Sequence, residues 1–250
     1  MDGAGVSGYR TLSVIVPVYN ERTTVAEAVR RIRQVDVPLE LEIVVVDDGS
    51  TDGTRQVLAT LEDSTVRVLA HARNRGKGAA VRTGLAAARG DLVLIQDADL
   101  EYDPADWPKL LDPLLRGKAR VVYGSRFTGE RKNMLPLHWV GNRFLVFITN
   151  VLYASTLSDM ETCSKVFDRR VLAGLPLESD RFEIEPELTA KVLRRGYRIY
   201  EVPISYAGRE VAQGKKITWH DGFGALWALL KYRVTPLPPP PPEAAVLTDR

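Results

Sequence analysis

Leu92-Val93-Leu94-Ile95-Gln96-Asp97-Ala98-Asp99 decides the fold: four apolar strand-formers run straight into two carboxylates one residue apart. A short, unbroken apolar run of this kind reads as a strand covered on both faces, and its abrupt polar end marks the carboxyl edge of a sheet. The pattern occurs twice upstream. Leu12 to Val18 ends in Tyr19-Asn20-Glu21, and Leu41 to Asp47 ends in Asp47-Asp48. The intervals carry helical spacing: Val25, Val29 and Ile32 share a face of Glu21 to Gln34, and Gly78 to Arg89 is an alanine-rich helix. Val66 to Ala70 and Val121 to Tyr123 add strands, and Gly49 to Gly53 reads as a turn, with Asp52 capping the helix that follows. Strand and helix alternating at this interval predict an α/β fold with a mostly parallel central sheet flanked by helices. Ligands of such sheets bind at the carboxyl ends of the strands. Three successive strand ends here are polar or acidic, which points to a metal and a polyhydroxy ligand on one edge.

The second half is less regular. Leu137 to Tyr153 and Phe182 to Arg195 read as helices, and Arg198 to Val202 as a strand. Gly222 to Arg233 reads as an amphipathic helix with Phe223, Leu226, Trp227 and Leu230 on one side. The expected organisation is a flexible N-terminus (1–11), one domain (12–235) and an extended, disordered Pro-rich tail (236–250). Within the domain, the regular half is 12–125 and the less regular half 126–235. A chain of 250 residues suits one well-buried α/β domain. The net charge of +2, with no sustained basic block, argues against a nucleic-acid partner. The lone Cys163 rules out an intrachain disulfide and fits a reducing compartment. The N-terminus lacks the apolar core of a signal peptide. The most apolar run, Phe144 to Ala154, is about half the roughly 20 residues that cross a bilayer. The expected location is cytoplasmic, with any membrane contact peripheral, on the cytoplasmic face.

Asp97 and Asp99 are suited to share a hard divalent cation, or to divide metal and ribose between them, and Glu101 is a further oxygen ligand. Taken alone, an Asp-x-Asp is more often a solvated turn; its place among the other strand ends changes that balance. Arg73-Asn74-Arg75-Gly76-Lys77-Gly78 is not a Walker phosphate loop, because Gly78 stands where Ser or Thr is required. Its glycines are expected to allow close backbone approach to a ligand, with Lys77 nearby. Arg126, in Gly-Ser-Arg-Phe, has the fork that matches phosphate oxygens. Arg209, Lys215 and Lys216, spaced by Gly208 and Gly214, read as a basic lid. His71, His138 and His220 make no metal pattern.

Four of these segments occur in an order that resembles the nucleotide-binding half of family 2 glycosyltransferases, which have the GT-A fold. They are Val14 to Glu21, Val46 to Thr54, Asn74 to Gly78 and Asp97-Ala98-Asp99-Leu100. Gly124 to Phe127, Asp159 to Lys165 and Gly214 to Ile217 resemble the members that build dolichyl- or polyprenyl-phosphate sugars. The resemblance implies that Pro17, Tyr19 and Glu21 line the base and ribose pocket and that Asp48 reaches base or ribose. Lys77 and Ala98 would complete the nucleotide-sugar site. Asp97 would meet ribose or metal-bound water, while Asp99 and Glu101 hold Mg2+ or Mn2+. Gln is common in the family where Glu101 stands.

The reaction so implied is inverting transfer of a hexose from a UDP- or GDP-linked donor to a polyprenyl (dolichyl-type) monophosphate at a membrane surface. Asp99, Arg126 and Asp159 would be catalytic, and Arg126, Arg209, Lys215 and Lys216 would hold the acceptor phosphate. A phosphate monoester, with a second pKa of about 6, is already dianionic at neutral pH and needs no base, which weakens Asp159 in that role. Asp159 would then orient Lys165 or Arg126. Two alternatives stay open: a saccharide or other hydroxyl acceptor, for which Asp159 becomes a true base, and a non-catalytic nucleotide-sugar-binding module.

Overall fold

The computed structural model describes residues 8–132, 136–209 and 219–242. Five strands of the predicted pattern are present: β1 (Thr11–Val18), β2 (Glu40–Asp47), β3 (Val66–Ala70), β4 (Leu92–Ile95) and β5 (Val121–Ser125). Between them lie α1 (Val25–Arg33), α2 (Thr54–Ala59), α3 (Lys77–Ala87) and α4 (Trp107–Leu115). Then come β6 (Arg131–Lys132), α5 (Pro136–Tyr153), β7 (Lys165–Asp168), α6 (Arg169–Leu172), α7 (Ile184–Arg194), β8 (Ile199–Pro203), β9 (Tyr206–Ala207) and α8 (Trp219–Val234).

Seven strands form one sheet in the order β3-β2-β1-β4-β7-β5-β8, and β6 pairs with β9 beside it. Alternate residues feed opposite faces. Val14, Val16 and Val18 join the main core, whereas Ile15 packs with Val93 and Ala88 on the other side. The parallel register sets Val18 opposite Asp47 and Ile15 opposite Ile95. The three acidic strand ends therefore emerge on one edge.

Strand β7 is the exception, running antiparallel between β4 and β5 with Lys165 paired to both Ile95 and Tyr123. Reversal matters for function: the start of β7 lies at the edge where its neighbours end, so residues 159–164 arrive at the same place. The sequence did not announce this strand, since four residues flanked by charge carry little periodic signal. Helix α4 was also unforeseen; it opens at Trp107-Pro108 and contains Pro113, residues that argue against helix when read locally.

Three further readings are refined. Helix α1 begins at Val25 rather than Glu21, because Glu21 instead supplies the carbonyl that receives the amides of Thr24 and Val25. Asp52 accepts from the Thr54 amide, as expected of a cap, with Gly53 at positive φ between them. In the described part of the proline-rich segment, Leu237 packs against the main core. Residues 243–250, like 1–7, lie outside the described residues, as do Lys215 and Lys216.

Gly76 shows why the loop before α3 is glycine-rich. Its φ of 103° and ψ of 160° suit glycine alone, and a Cβ there would strike the carbonyl of Asp180. The close approach expected of this loop is thus to the chain's own residues 179–181. Gly76→Ala is expected to lower stability by about 2–3 kcal/mol in urea unfolding. By contrast, Gly141→Ala, with open space around it in α5, should raise stability by about 0.5–1 kcal/mol.

Candidate functional site

The strand ends open into a cleft of about 900 Å³. Pro17, Tyr19, Glu21, Asp48, Lys77, Asp97, Ala98, Asp99, Glu101, Arg126 and Arg209 all line it. Residues as far apart in sequence as Pro17 and Arg209 are thereby gathered at one place. Asp159 does not line it, being fully buried behind Arg126.

Most of the carboxylates on this edge are matched to donors of the chain itself. Asp48 accepts from the backbone amides of Arg75 (2.9 Å) and Gly76 (2.7 Å) and from His71 Nδ1 (2.7 Å). Its first task is therefore to fix the glycine loop. Asp97 accepts from Lys77 Nζ at 2.9 Å, and the same ammonium lies 3.5 Å from Glu185. Burial works against the charge on Lys77, but Asp97, Cys163 and Glu185 together hold its pKa well above that of a free lysine. Glu21 pairs with Arg209 at 2.9 Å, and Arg209 also donates to the carbonyl of Asp99. Arg209, expected at the acceptor phosphate, is thus committed to the donor side of the edge.

Asp97, Asp99 and Glu101 do not converge into a three-acid cage; among the described residues no such cluster of metal-ligating side chains exists. Glu101 turns to Tyr206 Oη (2.8 Å) and to the Arg209 amide (2.9 Å), which fits poorly with direct metal ligation. Asp99 differs. Among the described residues its carboxylate accepts only the amide of Glu101 (3.1 Å), while burial and then the charges of Asp97 and Glu101 push its pKa up to about 7. A crowded oxygen donor of this kind suits a hard divalent cation, whose remaining shell a diphosphate and water can fill. The next residue, Leu100, has φ of 64°, and the Arg209 contacts to the Asp99 carbonyl hold this turn in place.

Arg126 is fixed from behind. Its Nε and Nη2 donate to the two oxygens of Asp159 at 2.7 and 2.8 Å, and its own amide adds a third bond at 3.0 Å. Its guanidinium carbon sits 5.4 Å from the centre of the Tyr206 ring. Nη1 makes no hydrogen bond among the described residues, and Arg126 lines the cleft. Expected as a candidate base, Asp159 is fully buried, and both of its oxygens accept from Arg126. Lys165 is not Asp159's partner. It is fully buried and donates to Glu185 and to the carbonyls of Met160 and Thr162.

Chain regions 13–175 match the family model Glycosyl transferase family 2. The fold is of the GT-A type, and the chain belongs to glycosyl transferase family 2. It is 28% identical over 246 residues to a UDP-N-acetylglucosamine–dolichyl-phosphate N-acetylglucosaminyltransferase of Methanococcus voltae, covering 90% of this chain and 97% of that one. It is 31% identical to a dodecaprenyl-phosphate galacturonate synthase of Rhizobium johnstonii, covering 80% of this chain but 60% of that one. Glucosyl-3-phosphoglycerate synthase of Mycobacterium tuberculosis, solved with Mn2+ and UDP, superimposes with a TM-score of 0.69. The two are 24% identical, with 91% of this chain and 81% of the other covered, a likeness of fold.

Two acidic cleft residues escaped the sequence reading, Glu161 and Glu185. Both are acids with no motif spacing to the strand ends, and only β7 and α7 bring them there. One signal was available: Glu161 sits in a segment otherwise rich in small and apolar residues. Burial, then Glu185, raises its pKa to about 7 from a model-compound 4.5. The sign follows. The folded state favours the neutral acid, so a penalty grows as pH rises from 4.5 through about 7 and is absent below that window. Glu161→Gln removes the penalty. Its unfolding free energy should exceed that of the parent by on the order of 2–3 kcal/mol at pH 8 and match it at pH 4.5. Thermal melts across pH check this; an equal shift at both ends would contradict it.

Proposed function

We propose that this glycosyltransferase moves a hexose from a nucleoside-diphosphate sugar to a polyprenyl monophosphate at a membrane surface, with inversion at the anomeric carbon. One observation carries the reading: the cleft that holds Asp97 to Asp99 and the fixed Arg126 is also lined by Val140 and Phe144 of α5 and Phe223 and Leu226 of α8. A site for a sugar nucleotide alone has little use for that apolar wall. A phosphate on a long hydrocarbon chain does.

The wall continues onto the outer surface. Val140, Phe144, Phe147 and Val151 repeat along α5 at helical spacing, and Phe223, Trp227, Leu230 and Val234 do so along α8, each at least 46% exposed. The helices pack together through Leu145, Val146, Ala225 and Leu229, so the two stripes belong to one paired unit. Apolar faces this large are uncommon on freely soluble chains and suit a lipid interface. Arg131 and Arg143 both stack on Phe127, which adds cations suited to anionic headgroups. No helix among the described residues is long and apolar enough to cross a membrane.

In this reading Arg126, held by Asp159, grips the acceptor phosphate. The dianion then attacks the anomeric carbon without prior loss of a proton. Asp99 would hold Mg2+ or Mn2+, which supplies charge neutralisation for the departing diphosphate. Lys77, fixed by Asp97 and Glu185, places a permanent positive charge beside the donor. Catalysis rests on placement and electrostatics. The dolichyl- and polyprenyl-phosphate acceptors named in the relatives support the choice of acceptor.

A panel of radiolabelled UDP and GDP sugars offered undecaprenyl phosphate should give a labelled lipid with one donor; label appearing only on free saccharides would sink the proposal. Asp159→Asn should raise the KM for polyprenyl phosphate about tenfold while leaving the shape of the kcat–pH profile unchanged. A lost basic limb would mean that Asp159 is a base after all. In liposome flotation, the parent chain should rise with anionic vesicles, and the Phe147→Glu/Trp227→Glu variant should stay at the bottom. Equal flotation of the two would remove α5 and α8 from the membrane contact.

A further inference from the structure

Arg126 is held by Asp159, and Asp159 is itself held. It lies in the irregular stretch between the end of α5 and the start of β7, where neither helix nor strand fixes the backbone. A side chain does so instead. Glu201, on the edge strand β8, accepts the amide of Ser158 at 2.7 Å through Oε2 and that of Asp159 at 2.9 Å through Oε1. Both oxygens of one carboxylate thus serve two successive backbone amides. Asn150 of α5 ties the preceding residue from the other side, with bonds of 2.8 and 2.9 Å to the amide and carbonyl of Leu157. Burial raises the pKa of Glu201, and the amides of Asp159 and Ser158 draw it back down, so these bonds favour the charged carboxylate. Among the described residues Glu201 forms no ion pair, and its link to Arg126 runs through Asp159 alone.

The geometry of the next link makes that backbone matter. Asp159 meets Nε, Nη2 and the backbone amide of Arg126 at 2.7, 2.8 and 3.0 Å. A bidentate pair of this kind requires the carboxylate and the guanidinium to share a plane, so rotation of the 158–159 backbone breaks at least one bond. A misplacement of about 1 Å in a site can cost roughly 100-fold in rate. Resting on the transfer reading above, we propose that Glu201 is a positioning residue for the acceptor phosphate: it fixes the 158–159 backbone, which aims Asp159, which fixes the Arg126 guanidinium. The donor end is held by other means. Lys77 and Asp97 pair with each other, Lys77 also faces Glu185, and the Asp99 turn is held by Arg209. Loss of the Glu201 relay therefore falls on the acceptor and spares the donor.

Two readouts on the full chain test this. One is steady-state kinetics with undecaprenyl phosphate and the donor that labels it. The other is the Arg126 Nε–H signal in nitrogen-15 NMR, assigned by its absence in Arg126→Lys; in the parent this proton, bonded to Asp159, should exchange slowly with solvent. Glu201→Ala is expected to raise the KM for undecaprenyl phosphate about tenfold, to leave the donor KM within about twofold and to speed exchange of the Arg126 proton. Glu201→Gln, which matches the parent in size and keeps one accepting oxygen, should fall between the two in both readouts. Because the relay passes through one carboxylate, adding Glu201→Ala to Asp159→Asn should raise the acceptor KM little beyond Asp159→Asn alone. Effects that multiply, an equal loss for donor and acceptor, or an Arg126 signal unmoved in both Glu201 variants would overturn the inference while leaving the transfer reading in place. If the parent labels no lipid, the transfer reading falls, and the Arg126 signal by itself decides whether Glu201 holds that guanidinium.

Discussion

Carboxylates gathered on one sheet edge repel one another, and the structure depends on how that repulsion is met. Asp97, Glu185, Asp159 and Glu21 are each matched by a cation delivered from elsewhere in the chain: Lys77 from the start of α3, Lys165 from β7, Arg126 from the end of β5 and Arg209 from beyond β9. Buried ions are costly unless paired and hydrogen-bonded. The pairing here runs as an alternating chain, Asp97–Lys77–Glu185–Lys165, through the floor of the cleft. It constrains where α3, α7 and β7 can sit. Among the described residues Asp99 forms no ion pair, and it is the seat we propose for a cation from outside.

The same constraint divides what could be read from sequence. The apolar runs before Glu21, Asp48 and Asp97 are local signals, and the parallel register carried them to one edge as expected. Strand β7 could not be read that way. Its placement depends on pairing Lys165 with Ile95 and Tyr123, which lie 70 and 42 positions upstream. Nor could Asp159 be assigned from its motif, because its role is set by a guanidinium 33 residues away. Glu185 was read as part of a helix, and only packing shows that its first turn ends in the cleft. The loop glycines were read as making room for a ligand, whereas at Gly76 the room is taken by Asp180. Local pattern marked where the site lies; long-range pairing determines which acids remain open in it.

Two environments meet in the cleft, and a sugar transfer to lipid phosphate needs both. The charged edge can hold a diphosphate and its cation. The paired helices α5 and α8 offer apolar side chains to a hydrocarbon tail and to the membrane that carries it. Arg126 belongs to both regions, being anchored in the protein by Asp159 and lining the cleft. A fixed guanidinium costs less to organise at the moment of reaction than a mobile one, so in the proposed transfer its rigid support would itself contribute to catalysis.

The account turns on Asp99 as the proposed seat of a metal. Electron paramagnetic resonance of Mn2+ titrated into the chain with UDP or GDP present addresses this directly. The account predicts that Asp99→Ala abolishes the nucleotide-dependent bound signal, while Glu101→Gln, whose side chain serves Tyr206 and Arg209, retains it. Loss of the signal in Glu101→Gln, or its survival in Asp99→Ala, would contradict the account.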